Sequence, residues 1–78
     1  MPRFYFDIRH GEILTEDHVG RVLSGIKDAQ RQAQYELGEM LRRVSGSAMR
    51  NVMTIEVKDE AGKRLFRAKL VFEIEPLS

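Results

Sequence analysis

The chain has 78 residues, no cysteine, and 13 Lys plus Arg against 12 Asp plus Glu. That length holds one domain with a small core, and the missing cysteines exclude a disulfide framework, a thiol nucleophile and a cysteine metal site. The near-neutral balance lacks the basic excess typical of nucleic-acid binders, and no apolar run approaches the ~20 residues of a membrane-spanning helix.

The opening residues carry no apolar stretch of the signal-peptide kind. The expectation is a cytoplasmic protein with no membrane partner and a single α+β domain over residues 1–78.

Arg3 to Arg9 alternates in character, with Phe4, Phe6 and Ile8 on one parity. Period two predicts a first strand with those residues turned to the core. Gly11 interrupts it, and Gly11 to Gly20 reads as a wide hairpin loop with a short extended piece at Ile13 and Leu14. Gly20 to Leu23 predicts a weaker second strand built on Val22. Ser24 suits an N-cap, although Lys27 stands where a capping box would place Glu or Gln. Ile26, Ala29, Ala33, Leu37, Met40, Leu41 and Val44 then form one stripe at helical period. Arg42 and Arg43 suit the negative end of the helix dipole, and Gly46 suits the C′ position. Gly38 within the helix costs about 1 kcal/mol relative to alanine, and reads as a point of close approach to the sheet or a neighbour. Ser45 to Asn51 forms the connector.

Val52 to Lys58 and Lys63 to Glu75 are alternating runs on either side of Asp59-Glu60-Ala61-Gly62, which predicts a β-hairpin. Met53, Ile55 and Val57 share one parity, whereas Phe66, Ala68, Leu70, Phe72 and Ile74 share the other. Paired residues lie on the same face, so an even-membered loop is required. A four-residue loop puts Lys58 opposite Lys63, Ile55 opposite Phe66 and Met53 opposite Ala68. A three-residue loop sets Ile55 against Arg67 unless a bulge intervenes. The last strand carries apolar residues on both parities, which predicts a central position with the first strand on its far side. The alternative sets the first strand beside the Met53 strand through a right-handed crossover. The expected fold is α+β, a mainly antiparallel β(β)αββ sheet of three to four strands with one amphipathic helix on one face.

His10 and His18 are the only histidines. Both fall in the predicted first loop, near Asp7, Glu12, Glu16 and Asp17, without a ligand-type spacing, so no metal is expected. No nucleophile elbow or phosphate loop is present. The expectation is a non-enzymatic chain with no catalytic residues. The outer sheet face is the place where a partner would bind, through Tyr5, Arg9, Val52, Arg67, Lys69 and Val71. Tyr5, Leu65, Val52 and Val71 would form its apolar centre, with mixed charge around them. A nucleic-acid reading uses Tyr5 to stack a base and Arg3, Arg9, Arg67 and Lys69 to meet phosphates. An ordinary solvated face would instead show cross-strand ion pairs such as Glu56 with Arg67.

Several stretches together resemble a family of short bacterial proteins of uncharacterised function. They are the opening Met-Pro-Arg-Phe-Tyr-Phe-Asp-Ile-Arg-His-Gly, Asp17-His18-Val19-Gly20, the helix residues Asp28, Ala29 and Ala33, and Val57-Lys58-Asp59-Glu60-Ala61-Gly62. That resemblance implies no activity and supplies no site residues. Asp17 to Gly20 followed by a helix also resembles the Asp-x-Pro-Gly element of partial ribonuclease-H-like antitoxin domains, with Val19 in place of the proline. The strand–helix–strand–strand order is similar to that of dodecins, which stack flavin on a tryptophan. This chain has no tryptophan, so no cofactor is expected. The functional expectation is a protein-interaction domain that pairs with itself as a homodimer or with another protein. The alternative is a single-stranded nucleic-acid-binding or antitoxin-like module on the outer sheet face.

Overall fold

The computed structural model describes residues 1–44 and 49–78. The elements run β1 (Arg3–His10), β2 (Ile13–Thr15), β3 (Arg21–Val22), α1 (Ile26–Arg42), β4 (Arg50–Lys58) and β5 (Arg64–Glu73). All pairings are antiparallel, and the strands lie in the order β2-β1-β4-β5, with the two-residue β3 also on β1. The fold is α+β: a five-stranded antiparallel sheet with one helix against it.

Inward-facing residues of the sheet and one stripe of the helix make the core. Met53, Ile55 and Val57 of β4 and Ala29 and Ala33 of α1 are wholly buried. Phe4 and Phe6 of β1 close one side, and Leu37 and Met40 extend the cluster along the helix. The small side chains of Ala29 and Ala33 let the helix backbone lie close to the sheet, as interior packing density requires. Leu41 and Val44 pack at the margin of the core, while Ile26, first in the stripe, stays 45% exposed.

The strand order departs from expectation. β4, not β5, is central: β1 lies on one side of it and β5 on the other. β1 and β4 are antiparallel, with Ile8 opposite Ile55, so no parallel crossover is formed. The apolar residues on both parities of β5 have another origin. The hairpin register is two residues from the one parity favours: Ile55 faces Ala68 and Val57 faces Phe66. The loop is a three-residue one, closed by Asp59 N donating to Lys63 O at 3.0 Å and Gly62 N to Asp59 O at 3.0 Å. Gly62 takes φ 83° there, which costs a glycine nothing. Parity is restored by a bulge, since Lys58 faces Arg64 while Val57 faces Phe66, leaving Leu65 as the extra residue. The bulge turns Leu65 to the core margin. It leaves Arg64 on the outer face, where its Nε lies 3.2 Å from Glu56 Oε1.

Three smaller readings also change. The N-cap is Gly25, and Ser24 donates its hydroxyl to the Asp28 carboxylate instead of accepting from a first-turn amide. The first loop contains a tight turn, with Gly11 at φ 63° leading into β2, so His10 closes β1 and faces Ile13. β4 takes in Arg50 and Asn51 from the expected connector. The C′ reading of Gly46 lies outside the described residues.

A β-carbon added at Gly38 meets nothing within 4 Å, so this glycine makes no close approach. Gly38→Ala is therefore expected to raise unfolding stability by about 0.5–1 kcal/mol, read as an increased midpoint in urea denaturation with an unchanged slope.

Candidate interaction surface

The outer face of the sheet is a set of transverse rows fixed by register. Tyr5 faces Lys58, which faces Arg64; Asp7 faces Glu56, which faces Arg67. Arg9 faces Thr54, which faces Lys69, and Val52 faces Val71. Asp7 opposite Glu56 places two like charges side by side, which is unfavourable by itself. Cations on three sides offset it: Lys58 Nζ is 2.9 Å from Asp7 Oδ2, and Arg67 Nη2 is 2.9 Å from Glu56 Oε2, beside the Arg64 contact. The hydrogen bond to Asp7 raises the Lys58 pKa above the ordinary lysine value, in spite of its desolvation. The expected Glu56–Arg67 pair is thus present.

These rows enclose a shallow concavity of about 620 Å³, lined by Arg9, Val52, Arg67 and Lys69 among others. Tyr5 and Val71 lie outside it. Leu65 is in the core margin, and Tyr5 is opposite Lys58, six residues along β4 from Val52, or roughly 20 Å at the rise of a strand. The apolar centre expected from Tyr5, Leu65, Val52 and Val71 therefore does not assemble; Val52 and Val71 alone meet. Tyr5 is also half-buried, with the Gly20 backbone close to its ring. Arg3 donates to Val19 O at 2.8 Å. Among the described residues, Arg9 and Lys69 are the cations of the concavity that make no ion pair.

The edge of β1 carries the other built feature. β2 covers residues 8–10 of that edge and β3 covers residues 3 and 4. Between them the amide of Phe6 would have no strand partner, and the Asp17 carboxylate supplies one. Asp17 Oδ2 accepts from Phe6 N at 3.0 Å, while Oδ1 accepts from Val19 N and Gly20 N, each at 2.9 Å. Asp17 N in turn donates to Asp7 Oδ1 at 2.9 Å. Gly20, at φ 76°, sits so close that an added β-carbon would come within 2.9 Å of Arg3 and Tyr5 side-chain atoms and 3.0 Å of Phe4 O. Asp17-x-x-Gly20 is therefore a clasp that holds the loop on β1. Burial pushes the Asp17 carboxyl up, but the amides of Gly20, Phe6 and Val19 and the charge of Arg21 outweigh it. Its pKa lies below the usual carboxylate range.

His10 and His18 are apart in role. His10 Nε2 is 3.2 Å from Asn51 Oδ1, at the end of the inward face, and His18 is exposed. Among the described residues no group of three or more His, Asp or Glu side chains is placed to hold a metal ion. No described helix is long and apolar enough to cross a membrane.

The feature that sequence reasoning missed is at the far end of the hairpin. On the inward face of β5, Phe66, Ala68 and Leu70 are half-buried, whereas Phe72 and, just beyond the strand, Ile74 are exposed. Met49, whose carbonyl accepts from Ile74 N at 2.7 Å, is exposed beside them. The signal was available: the inward pattern of the last strand runs on to Ile74, past what the helix stripe can cover.

Comparison with known proteins finds a family but no individual relative. A family model described as a domain of unknown function (DUF6894) covers residues 3–71. No curated protein and no solved structure matches the chain.

Asp17→Asn should expose the role of the clasp. An asparagine keeps one acceptor oxygen and turns an amide donor toward the other set of backbone N–H groups, so a loss of about 2 kcal/mol is expected at pH 7. A lowered folded-state pKa makes the carboxylate's contribution fully present above the unfolded value of about 3.9. It is lost as pH falls through the folded-state value. In urea titrations the gap between wild type and Asp17→Asn should then close as the pH is taken below about 4. A gap that stays constant would show that the charge is not responsible.

Proposed function

Because the chain belongs to the DUF6894 family, whose description assigns no activity, we propose from its own surfaces that it is a non-enzymatic interaction domain that associates with itself. The observation that carries this reading is the uncovered end of the inward face: Phe72 is 38% exposed, Ile74 48% and Met49 56%. These are side chains of the same face that elsewhere forms the core. Single exposed apolar residues are ordinary, but a contiguous group continuing a core face marks a contact surface. A 78-residue chain leaves roughly 40% of its unfolded-state surface open even when folded. Covering this end would add to a stability that is marginal for domains of this size.

The nature of the outer face favours this reading over a nucleic-acid one. Most of its cations are engaged with Asp7, Glu56 or Glu73, and its one tyrosine is partly covered by the Gly20 loop. The shallow concavity offers no nucleophile–base pair, which supports a role in binding rather than catalysis.

Sedimentation equilibrium of the full chain should show a weight-average mass rising with concentration from 9.0 kDa toward twice that value. Phe72→Ser, with unchanged circular dichroism, should weaken the association by roughly tenfold or more, the equivalent of one lost buried aromatic contact. A strict monomer up to millimolar concentration would defeat the proposal.

A further inference from the structure

We infer that two copies of the chain join through the free edge of β5, antiparallel to one another about a two-fold axis at Val71, so that both sheets become one. This rests on the self-association reading and adds to it the edge, the direction and the register.

Three observations lead there. First, among the described residues β5 pairs with β4 alone. A strand of ten residues thus presents an open row of backbone donors and acceptors, which is a template for another strand. Second, the phase of the hydrogen bonds says which residues offer them. Ile74 N, just past the strand, donates to Met49 O, so the even-numbered residues of β5 from Phe66 to Phe72 direct their backbone groups to β4. In an antiparallel ladder the alternate residues direct theirs the other way. Arg67, Lys69, Val71 and Glu73 therefore point their N–H and C=O groups to the open edge.

Third, the side chains on those same positions are antisymmetric in charge. Along the outer face they read Arg67, Lys69, Val71, Glu73 and, continuing past the strand, Glu75. A two-fold at Val71 sets Lys69 against Glu73 of the second copy and Arg67 against Glu75 of the second copy, where Glu73 also meets Arg50 of its own chain at 3.1 Å and Arg67 also meets Glu56 of its own chain at 2.9 Å. Each opposed pair then has opposite signs. On the inward face the same operation sets Leu70 against Phe72 and Ala68 against Ile74, which covers exposed Phe72 and, just beyond the strand, Ile74. A parallel arrangement in register would set like charges together. An axis at Leu70 instead would oppose Lys69 to Val71 and leave Glu75 against Leu65; an axis at Phe72 would oppose Val71 to Glu73. Of these arrangements, only the Val71 axis satisfies every charge and buries both apolar residues. Lys69, which makes no ion pair among the described residues, gains one.

Charge exchange tests the register. Lys69→Glu alone sets two carboxylates against each other on either side of the axis, and Glu73→Lys alone sets two ammonium groups together in the same places. Each variant should dimerise about tenfold more weakly than wild type or worse. An equimolar mixture of the two should form a heterodimer that binds more tightly than either variant does with itself. In it one of the two 69–73 contacts joins the two introduced charges and the other the two native ones, and both are again between opposite signs. Recovery on mixing also shows that both variants are folded. A second measurement uses the absence of native cysteine. Val71→Cys places two thiols on directly paired strand residues, about 5.5 Å apart at Cα, within the range a disulfide spans. Under mild oxidation it should cross-link to a dimer on a non-reducing gel. Association of the wild type without recovery on mixing and without the cross-link would overturn the β5 pairing while leaving self-association standing. A wild-type chain that stays monomeric would overturn both.

Discussion

One helix must cover the inward face of the sheet, and which strands it covers sets what the rest of the molecule can do. Its 17 residues reach about 26 Å at the rise of an α-helix. β5 alone, with ten residues, extends roughly 33 Å, and its inward pattern continues to Ile74. The helix covers the middle strand completely, so Met53, Ile55 and Val57 vanish from the surface. It covers β5 only in part. The gradient from half-buried Phe66 to exposed Ile74 runs along an edge strand, while Asn51 of β4, opposite Phe72, is buried. The open apolar surface of this face begins past Leu70, which still packs against the core.

At the other end of the sheet, order is obtained by local polar devices instead of by packing. The chain uses the same one twice. In Asp17-x-x-Gly20 the aspartate accepts from the amides two and three residues on, and in Asp59-x-x-Gly62 it accepts from Ala61 N and Lys63 N. Both glycines take positive φ. An aspartate side chain mimics a backbone turn in this way, and the glycine allows the chain to reverse. The first copy does more than the second, because its other oxygen fills the gap in the β1 ladder at Phe6. In this structure both fix loops onto strands.

Much of the architecture was legible because it depends on single-residue patterning. The alternation of Phe4, Phe6 and Ile8, the helix stripe at Ala29, Ala33, Leu37 and Met40, and the two alternating runs of the hairpin each specify an element and its buried face. Strand order was not legible, since β5 reads as two-sided for reasons unrelated to centrality. Leu65 is apolar on the outer parity because a bulge returns it to the core margin, and Val71 because it faces Val52. Parity could not settle the register either: a three-residue loop with a bulge satisfies the same alternation as a four-residue loop without one. The clasp on β1 was hidden because its donor and acceptor lie 11 residues apart at Phe6 and Asp17. Of the six residues expected on the outer face, the concavity gathers Arg9, Val52, Arg67 and Lys69; Tyr5 is at the wrong end, and Val71 lies toward the open edge.

An open strand edge is a hazard to a small protein, and the composition of β5 limits what can pair with it. The usable stretch is bounded by the Leu65 bulge on one side and Pro76 on the other, both of which end a ladder. Between them, two cations precede Val71 and two anions follow it. A strand that approaches in a direction or register that sets like charges together is disfavoured, which is how edges are kept from indiscriminate pairing. A second copy of the same strand has charges that are complementary by symmetry, because reversing the strand about Val71 exchanges the signs. Charge here adds little binding energy of its own at the solvent surface. In the proposed dimer its effect is to choose the partner and the register, while the energy comes from backbone pairing and from covering Phe72 and Ile74. In the proposed dimer the edge position of β5 and its antisymmetric charge are two halves of one arrangement: the first leaves apolar surface uncovered, and the second selects a second copy to bury it.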